Sequence, residues 1–257
     1  DLEPGTYLVK EVATDDAHVV NSTPQQIELK AGETQTRELV FFNSLKPGIH
    51  LIKVDSITMK SLPNVRFEFK LVGGSYRQEF TTDINGEIDL SKLTPGAYEV
   101  RELEAPDGYL IDDAVRVVQV NPDENANFVF TNTPKPSLRL IKTSSDGTRL
   151  GGVHFRIARI EDGTHYLDRI TDQDGEINIA NLEPGVYSIK ETATVADHIL
   201  DLQEYHVELF PGQTSTITIE NQRRPNLIVY KKDADTGDPI ADTVFTVRAA
   251  DGHSVDE

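Results

Sequence analysis

Three phrases recur along this chain at a common interval, and that interval limits what it can fold into. LEPGTYLVKE, from Leu2 to Glu11, returns as LTPGAYEVRE from Leu93 to Glu102 and as LEPGVYSIKE from Leu182 to Glu191. The last two boxes are 89 residues apart. An apolar alternation closing on lysine (IHLIKVD, SLRLIKT, LIVYKKD) places Lys53, Lys142 and Lys231 at the same 89-residue interval. A third phrase (LVFFN, FVFTN, ITIEN) ends on Asn43, Asn132 and Asn221, again 89 apart. A period this long is a whole domain rather than a solenoid unit. Pro-containing joints (NSLKPG, NTPKPS, NQRRPN) follow each closing Asn, which places complete units at 46–134 and 135–223. Residues 1–45 then read as the back of one repeat and 224–257 as the front of another. The expectation is a piece of a longer repeat array.

Within a unit the apolar residues alternate with period two, as at Val65, Phe67, Phe69 and Leu71, at Val115 and Val117, and at Phe128 and Phe130. That period predicts half-buried strands. Turn signals at Asn85-Gly86, Asp107-Gly108, Asp174-Gly175, Pro95-Gly96 and Pro184-Gly185 separate them. No sustained helical period occurs, so the fold class is all-β, an antiparallel sandwich in tandem copies.

Composition excludes several functions. The chain has no cysteine, so neither disulfides nor thiolate metal sites are available to stiffen it. A formal charge of −18 opposes nucleic-acid binding, which needs clustered Lys and Arg. No apolar run approaches the ~20 residues of a membrane-spanning helix, so no membrane insertion is expected of this segment. The seven histidines lack ligand spacing. Acidic groups at Asp172, Asp174 and Glu176, and at Asp233, Asp235 and Asp238, invite a calcium reading, and DADTGD resembles the start of an EF-hand loop. Its twelfth position, however, is Val244 rather than a bidentate acid. Turn formation explains these residues, and neither metal nor cofactor is expected. No Gly-x-Ser-x-Gly and no repeating His, Asp and Ser set supports an enzyme.

The landmarks also form a constellation. Lys53, Glu102 and Asn132 are separated by 49 and 30 residues, and Lys142, Glu191 and Asn221 by the same two intervals. Strand alternation puts Lys53 on the face of Leu51, Lys142 on that of Leu140, and Asn132 on that of Phe130. A charge on a core face demands a partner. The plain alternative is a strand-end cation, a surface acid and a turn residue copied by duplication.

With its LIK-x-D opening strand, Val-x-Phe second strand, Thr-Asp-x-x-Gly hairpin, Leu-x-Pro-Gly-x-Tyr-x-x-x-Glu box and closing Asn, the chain resembles the CnaB-type repeats of Gram-positive adhesins and pilins. The resemblance covers nearly the whole chain. It implies an Ig-like, prealbumin-like sandwich and an intramolecular isopeptide bond, from Lys53 to Asn132 promoted by Glu102 and from Lys142 to Asn221 promoted by Glu191. Such chemistry has a physical basis. Burial lowers a lysine pKa toward a neutral amine nucleophile, and it raises a carboxyl pKa so that a protonated Glu polarises the Asn carbonyl. Holding the three groups together supplies the effective molarity. Glu11 and Asn43 lack a lysine upstream, and Lys231 lacks its partners downstream, so these incomplete triads cannot react within the chain.

The second unit continues its box as Ala105-Pro106-Asp107-Gly108-Tyr109, whereas the third reads ETATVADHI and has Ser144 in place of Asp55. The loop after Glu191 is therefore expected to turn differently. The implied function is a structural stalk of a cell-surface, wall-anchored protein, with neighbouring repeats as its partners. The alternative is an adhesin module for a host matrix protein or glycan, a partner expected to engage another region. Uniform landmark spacing favours the stalk.

Overall fold

The computed structural model describes residues 2–162, 166–248 and 250. In the second repeat seven strands follow one another: β3 (Gly48–Asp55), β4 (Arg66–Leu71), β5 (Arg77–Thr81), β6 (Glu87–Leu90), β7 (Gly96–Glu104), β8 (Arg116–Val120) and β9 (Asn125–Asn132). The third repeat copies them as β10 (Ser137–Ser144), β11 (His154–Arg159), β12 (Tyr166–Ile170), β13 (Glu176–Ile179), β14 (Gly185–Ala193), β15 (Glu204–Leu209) and β16 (Thr214–Asn221). A 3₁₀ turn at Ile160–Asp162 interrupts the third. Ahead of both, β1 (Gly5–Val9) pairs with β2 (Gln25–Leu29). Among the described residues no helix is long and apolar enough to cross a membrane.

Each complete repeat is a sandwich of a three-stranded and a four-stranded sheet, ordered β6-β3-β9 with β5-β4-β7-β8, and β13-β10-β16 with β12-β11-β14-β15. The pairings are antiparallel except where the first strand meets the last. There β3 runs parallel to β9, from Gly48 opposite Asn125 to Asp55 opposite Asn132, and β10 runs parallel to β16. A parallel neighbour needs a long crossover, and here the whole domain is that crossover.

Alternation seats the two cores. Phe67 and Phe69 on β4, Tyr98 and Val100 on β7 and Phe130 on β9 fill the second, while Phe155, Ile157, Ile189 and Ile219 hold the matching places in the third. Burying each such side chain contributes about 1.5–3 kcal/mol. One strand faces the other way from expectation. Val115 and Val117 are exposed, and Val118 and Val120 turn inward instead. The run Val-Arg-Val-Val-Gln-Val offers valines to both faces, and slipping by one residue exchanges them.

The Pro-Gly-x-Tyr box forms a corner. The Tyr98 hydroxyl donates to the carbonyl of Thr94 at 2.9 Å, and Tyr187 to that of Glu183 at 3.0 Å. This satisfies a buried phenol and fixes where the following strand enters the core. The joint between the complete repeats is tied on both sides. Lys135 N donates to Gly108 O at 2.8 Å, while Gly212 N reaches Pro134 O at 2.7 Å. The Pro-containing joint is thus also held by hydrogen bonds.

Candidate functional site

Lys53 lies on β3, Glu102 on β7 and Asn132 at the end of β9, so the two sheets and the parallel strand pair converge on one point. The three are 0%, 2% and 1% exposed. Each shares a face with core residues: Leu51 with Lys53, Tyr98 and Val100 with Glu102, and Phe130 with Asn132. The rings of Phe67 and Phe130 stand 5.5 and 5.9 Å from Nζ of Lys53 and close the site to water. Behind it, Gly86 of the hairpin turn presses on the lysine backbone. Its φ is 77°, and a Cβ there would sit 2.6 Å from the Lys53 carbonyl oxygen. Glycine is therefore required at that turn by both conformation and contact.

The geometry within the cluster is specific. Lys53 Nζ donates to Glu102 Oε2 at 2.7 Å and also contacts Asn132 Oδ1, and Asn132 Nδ2 donates to Glu102 Oε1 at 2.7 Å. One carboxylate thus bridges the amine and the amide nitrogen. Burial pushes the Lys53 pKa below its ordinary value, against the opposing pull of the Glu102 hydrogen bond and charge. The contact differs from the expected one in a single respect: the Asn presents its amide nitrogen, not its carbonyl, to the Glu. The carbonyl oxygen faces the lysine instead.

The third repeat builds the same cluster from Lys142, Glu191 and Asn221, which are 0%, 3% and 1% exposed. Lys142 Nζ donates to Asn221 Oδ1 at 2.5 Å, and Asn221 Nδ2 donates to Glu191 Oε1 at 2.6 Å. Nζ is paired with Glu191 Oε2 at 2.9 Å. Burial again lowers the lysine pKa, opposed by Glu191. Phe155 supplies a ring 5.7 Å from Nζ.

Two features beside the clusters escaped sequence reasoning. In the second repeat the Tyr109 hydroxyl donates to Asp55 Oδ2 at 2.8 Å. At the aligned positions Ser144 Oγ meets His198 Nε2 at 3.0 Å, with Asp197 Oδ1 2.8 Å from His198 Nδ1. Both partners changed together, and the signal was present as two substitutions at the same 89-residue interval. This pair fastens the loop after the box Glu to the end of the opening strand. The turn differs as expected at one point, since Gly108 has a φ of 84° and its counterpart Asp197 has no positive φ, yet both loops close alike: Leu110 N bonds Thr133 O and Ile199 N bonds Gln222 O, each at 2.9 Å. The strand ends dictate those bonds, so loss of Pro and Gly leaves them intact. The second feature is Thr194, whose Oγ1 accepts from Asn221 Nδ2 at 2.7 Å.

The incomplete triads are partly assembled. Asn43 Nδ2 donates to Glu11 Oε1 at 2.7 Å and to Thr14 Oγ1 at 2.9 Å, and both residues are half-buried. Lys231 is exposed and apart from any such pair. The acidic loops act as turns. Asp172 Oδ1 accepts from Asp174 N and Glu176 N, and Asp233 Oδ1 from Asp235 N and Thr236 N. On the outer sheet face, His50, Glu87 and Asp89 hold ligand-type atoms within 4.8 Å of one another, with His50 Nδ1 2.7 Å from Asp89 Oδ1. Their counterparts Arg139 and Glu176 form an ion pair, so the position reads as a cross-strand pair.

Residues 47–134 and 136–223 each match the family described as SpaA, prealbumin-like fold domain. Among curated proteins, BOS complex subunit NOMO1 of Mus musculus is 23% identical over 233 residues, covering 90% of this chain and 18% of its own length. Colossin-A of Dictyostelium discoideum is 28% identical over 213 residues, 73% of this chain and 2% of its own. The chain spans less than a fifth of these relatives. Among solved structures, the Bacillus anthracis TIE protein is 24% identical with a TM-score of 0.41, over 86% of this chain and 42% of that one. Shaft pilin SpaA from Lactobacillus rhamnosus GG is 15% identical with a TM-score of 0.42, over 71% and 99%. Two matched copies take up more than half of the sequence, and the chain belongs to the SpaA prealbumin-like fold domain family.

Proposed function

We propose that this chain is a stalk segment of a bacterial surface protein, each of whose complete repeats, 46–134 and 135–223, locks itself with a Lys–Asn isopeptide bond. The observation that carries this reading is the twice-built buried cluster, in which one carboxylate touches both the amine and the amide nitrogen of its own domain. Glu102 Oε2 takes a proton from Lys53 Nζ, and the neutral amine attacks Cγ of Asn132. The carboxyl group then passes that proton on to Nδ2, which lies against it. The Nζ–Cγ bond forms, the Cγ–Nδ2 bond breaks and ammonia leaves. The lysine nitrogen loses two protons in all, one carried off in the ammonia and one released to solvent, and the carboxylate is regenerated. Each site reacts once, so the process is self-modification rather than turnover.

The mechanical consequence follows from the parallel strand pair. The chain enters at Gly48, the start of β3, and leaves at Asn132, the end of β9. The entry point is not beside the bond, as a compact lock would have it; it lies five residues upstream, about 17 Å along the strand. Tension then runs through Gly48–Lys53, across the bond and out, leaving the rest of the sandwich unloaded. A cysteine-free chain gains in this way what disulfides provide elsewhere. Placement outside the cell, attachment to a Gram-positive wall, and engagement of a host matrix protein or glycan by another region follow from the resemblance to CnaB-type repeats. The test is intact mass. The purified chain should lack two ammonia masses, and Glu102→Gln and Glu191→Gln should each restore one. An unshifted mass in the unaltered chain would sink the proposal.

A further inference from the structure

Asn221 differs from Asn132 in how its amide is held. An amide nitrogen has two N–H groups, and in the third repeat both are used, one by Glu191 Oε1 at 2.6 Å and the other by Thr194 Oγ1 at 2.7 Å. The first repeat shows the same arrangement, with Asn43 donating to Glu11 and Thr14. The second repeat has Ala105 at the aligned place, so Glu102 alone orients the Asn132 nitrogen through its side chain.

We infer that Thr194 is a positioning residue for bond formation in the third repeat. Resting on the isopeptide reading above, it fixes the Asn221 amide with its carbonyl group toward Lys142 and its departing nitrogen toward Glu191. Rotating the amide by half a turn would break both nitrogen contacts and set the carbonyl oxygen against the carboxylate. Such a flipped amide offers Glu191 no nitrogen to protonate. Thr194 therefore raises the fraction of molecules poised to react. Its hydroxyl can also turn to donate as the nitrogen lone pair localises. The second repeat lacks this clamp and has only Glu102 on the Asn132 nitrogen.

The experiment follows the full chain after cell-free synthesis. Samples taken over time are digested, and peptide masses score the Lys142–Asn221 link separately from the Lys53–Asn132 link, which serves as the internal clock. Thr194→Val keeps the shape and removes the hydrogen bond; losing one such bond should slow the third-repeat link about fivefold and leave the second unchanged. Thr194→Ser should restore the rate, and Ala105→Thr should quicken the second repeat. A Thr194→Val chain that links at the normal rate, or a Thr194→Ser chain as slow as Thr194→Val, overturns the role. If Thr194→Val does not fold, Ala105→Thr decides, since an unchanged second-repeat rate then overturns it. Absence of either link in the unaltered chain would instead refute the reading beneath it, before any variant is made.

Discussion

Pulling on the chain distinguishes a locked repeat from a merely stable one. Lys53 and Asn132 are 79 residues apart in sequence yet in contact, so an unlocked repeat hides about 270 Å of contour at ~3.4 Å per residue. A locked repeat hides almost none of it. The segment outside the bond, Gly48–Lys53, is already an extended strand. In force spectroscopy the native chain should therefore stretch without a step of that size. Replacing Asn132 and Asn221 by Ala removes both bonds while each Lys keeps its Glu partner, and two such steps should appear, one per complete repeat. The unlocked repeats should still resist, because force applied at opposite ends of a parallel pair shears its hydrogen bonds together. By the chain-entropy relation for cross-links such a bond would contribute roughly 4 to 5 kcal/mol for a loop this long, so the variant should also melt lower. Steps of about 270 Å in the native chain would refute the reasoning, as would their absence in the double variant.

Three further outcomes are expected. Phe67→Ala removes a fully buried ring that packs 5.1 Å from Phe130 and faces Lys53; it should cost about 3–5 kcal/mol in a thermal or denaturant melt and slow the link by admitting water. In the unlinked Asn132→Ala chain Lys53 still titrates, with its folded pKa below the ordinary 10.5. The unfolded state then binds more protons in the window just below 10.5, so stability should rise with pH there, and the gap to the linked chain should narrow; a gap that widens in urea titrations contradicts the assignment. Finally, His198→Ala strands the buried Ser144 hydroxyl and should cost about 1–3 kcal/mol. The paired change Ser144→Asp with His198→Tyr, which copies Asp55 and Tyr109, should be milder than either single change, and additive losses in a double-mutant cycle would refute the coupling.

The parts legible in the sequence were those that the repeat writes more than once. Lys53 and Lys142, Glu102 and Glu191, and Asn132 and Asn221 each carry the same neighbours at the same interval, and alternation alone puts them inward. What alternation could not supply was choice between equal faces or partners distant in sequence. Val115 and Val117 compete with Val118 and Val120 for the core, and only packing against Phe130 and its neighbours settles which pair wins. The parallel meeting of β3 and β9 depends on how the whole sandwich closes. Asp55 and Tyr109 lie 54 residues apart, as do Ser144 and His198, so neither partnership has a local pattern. Thr194 lies in the loop after the box Glu, and its role is visible only beside Asn221.

The two repeats together indicate the order in which such a domain must assemble. Before the bond exists, folding has to bury an ammonium, a carboxylate and an amide at one point, and a buried ion pair contributes little to stability once desolvation is counted. The aromatic and aliphatic core therefore has to be sufficient alone, which fits the separate, well-filled cluster in each repeat. On the isopeptide reading, reaction would then replace the ammonium by a neutral amide beside the same Glu. Such a bond would stabilise twice, by closing a long loop and by removing a buried positive charge. Between the two repeats the pair fastening the neighbouring loop changes from Asp55–Tyr109 to Ser144–His198, whereas the lysine, the carboxylate and the amide stay the same.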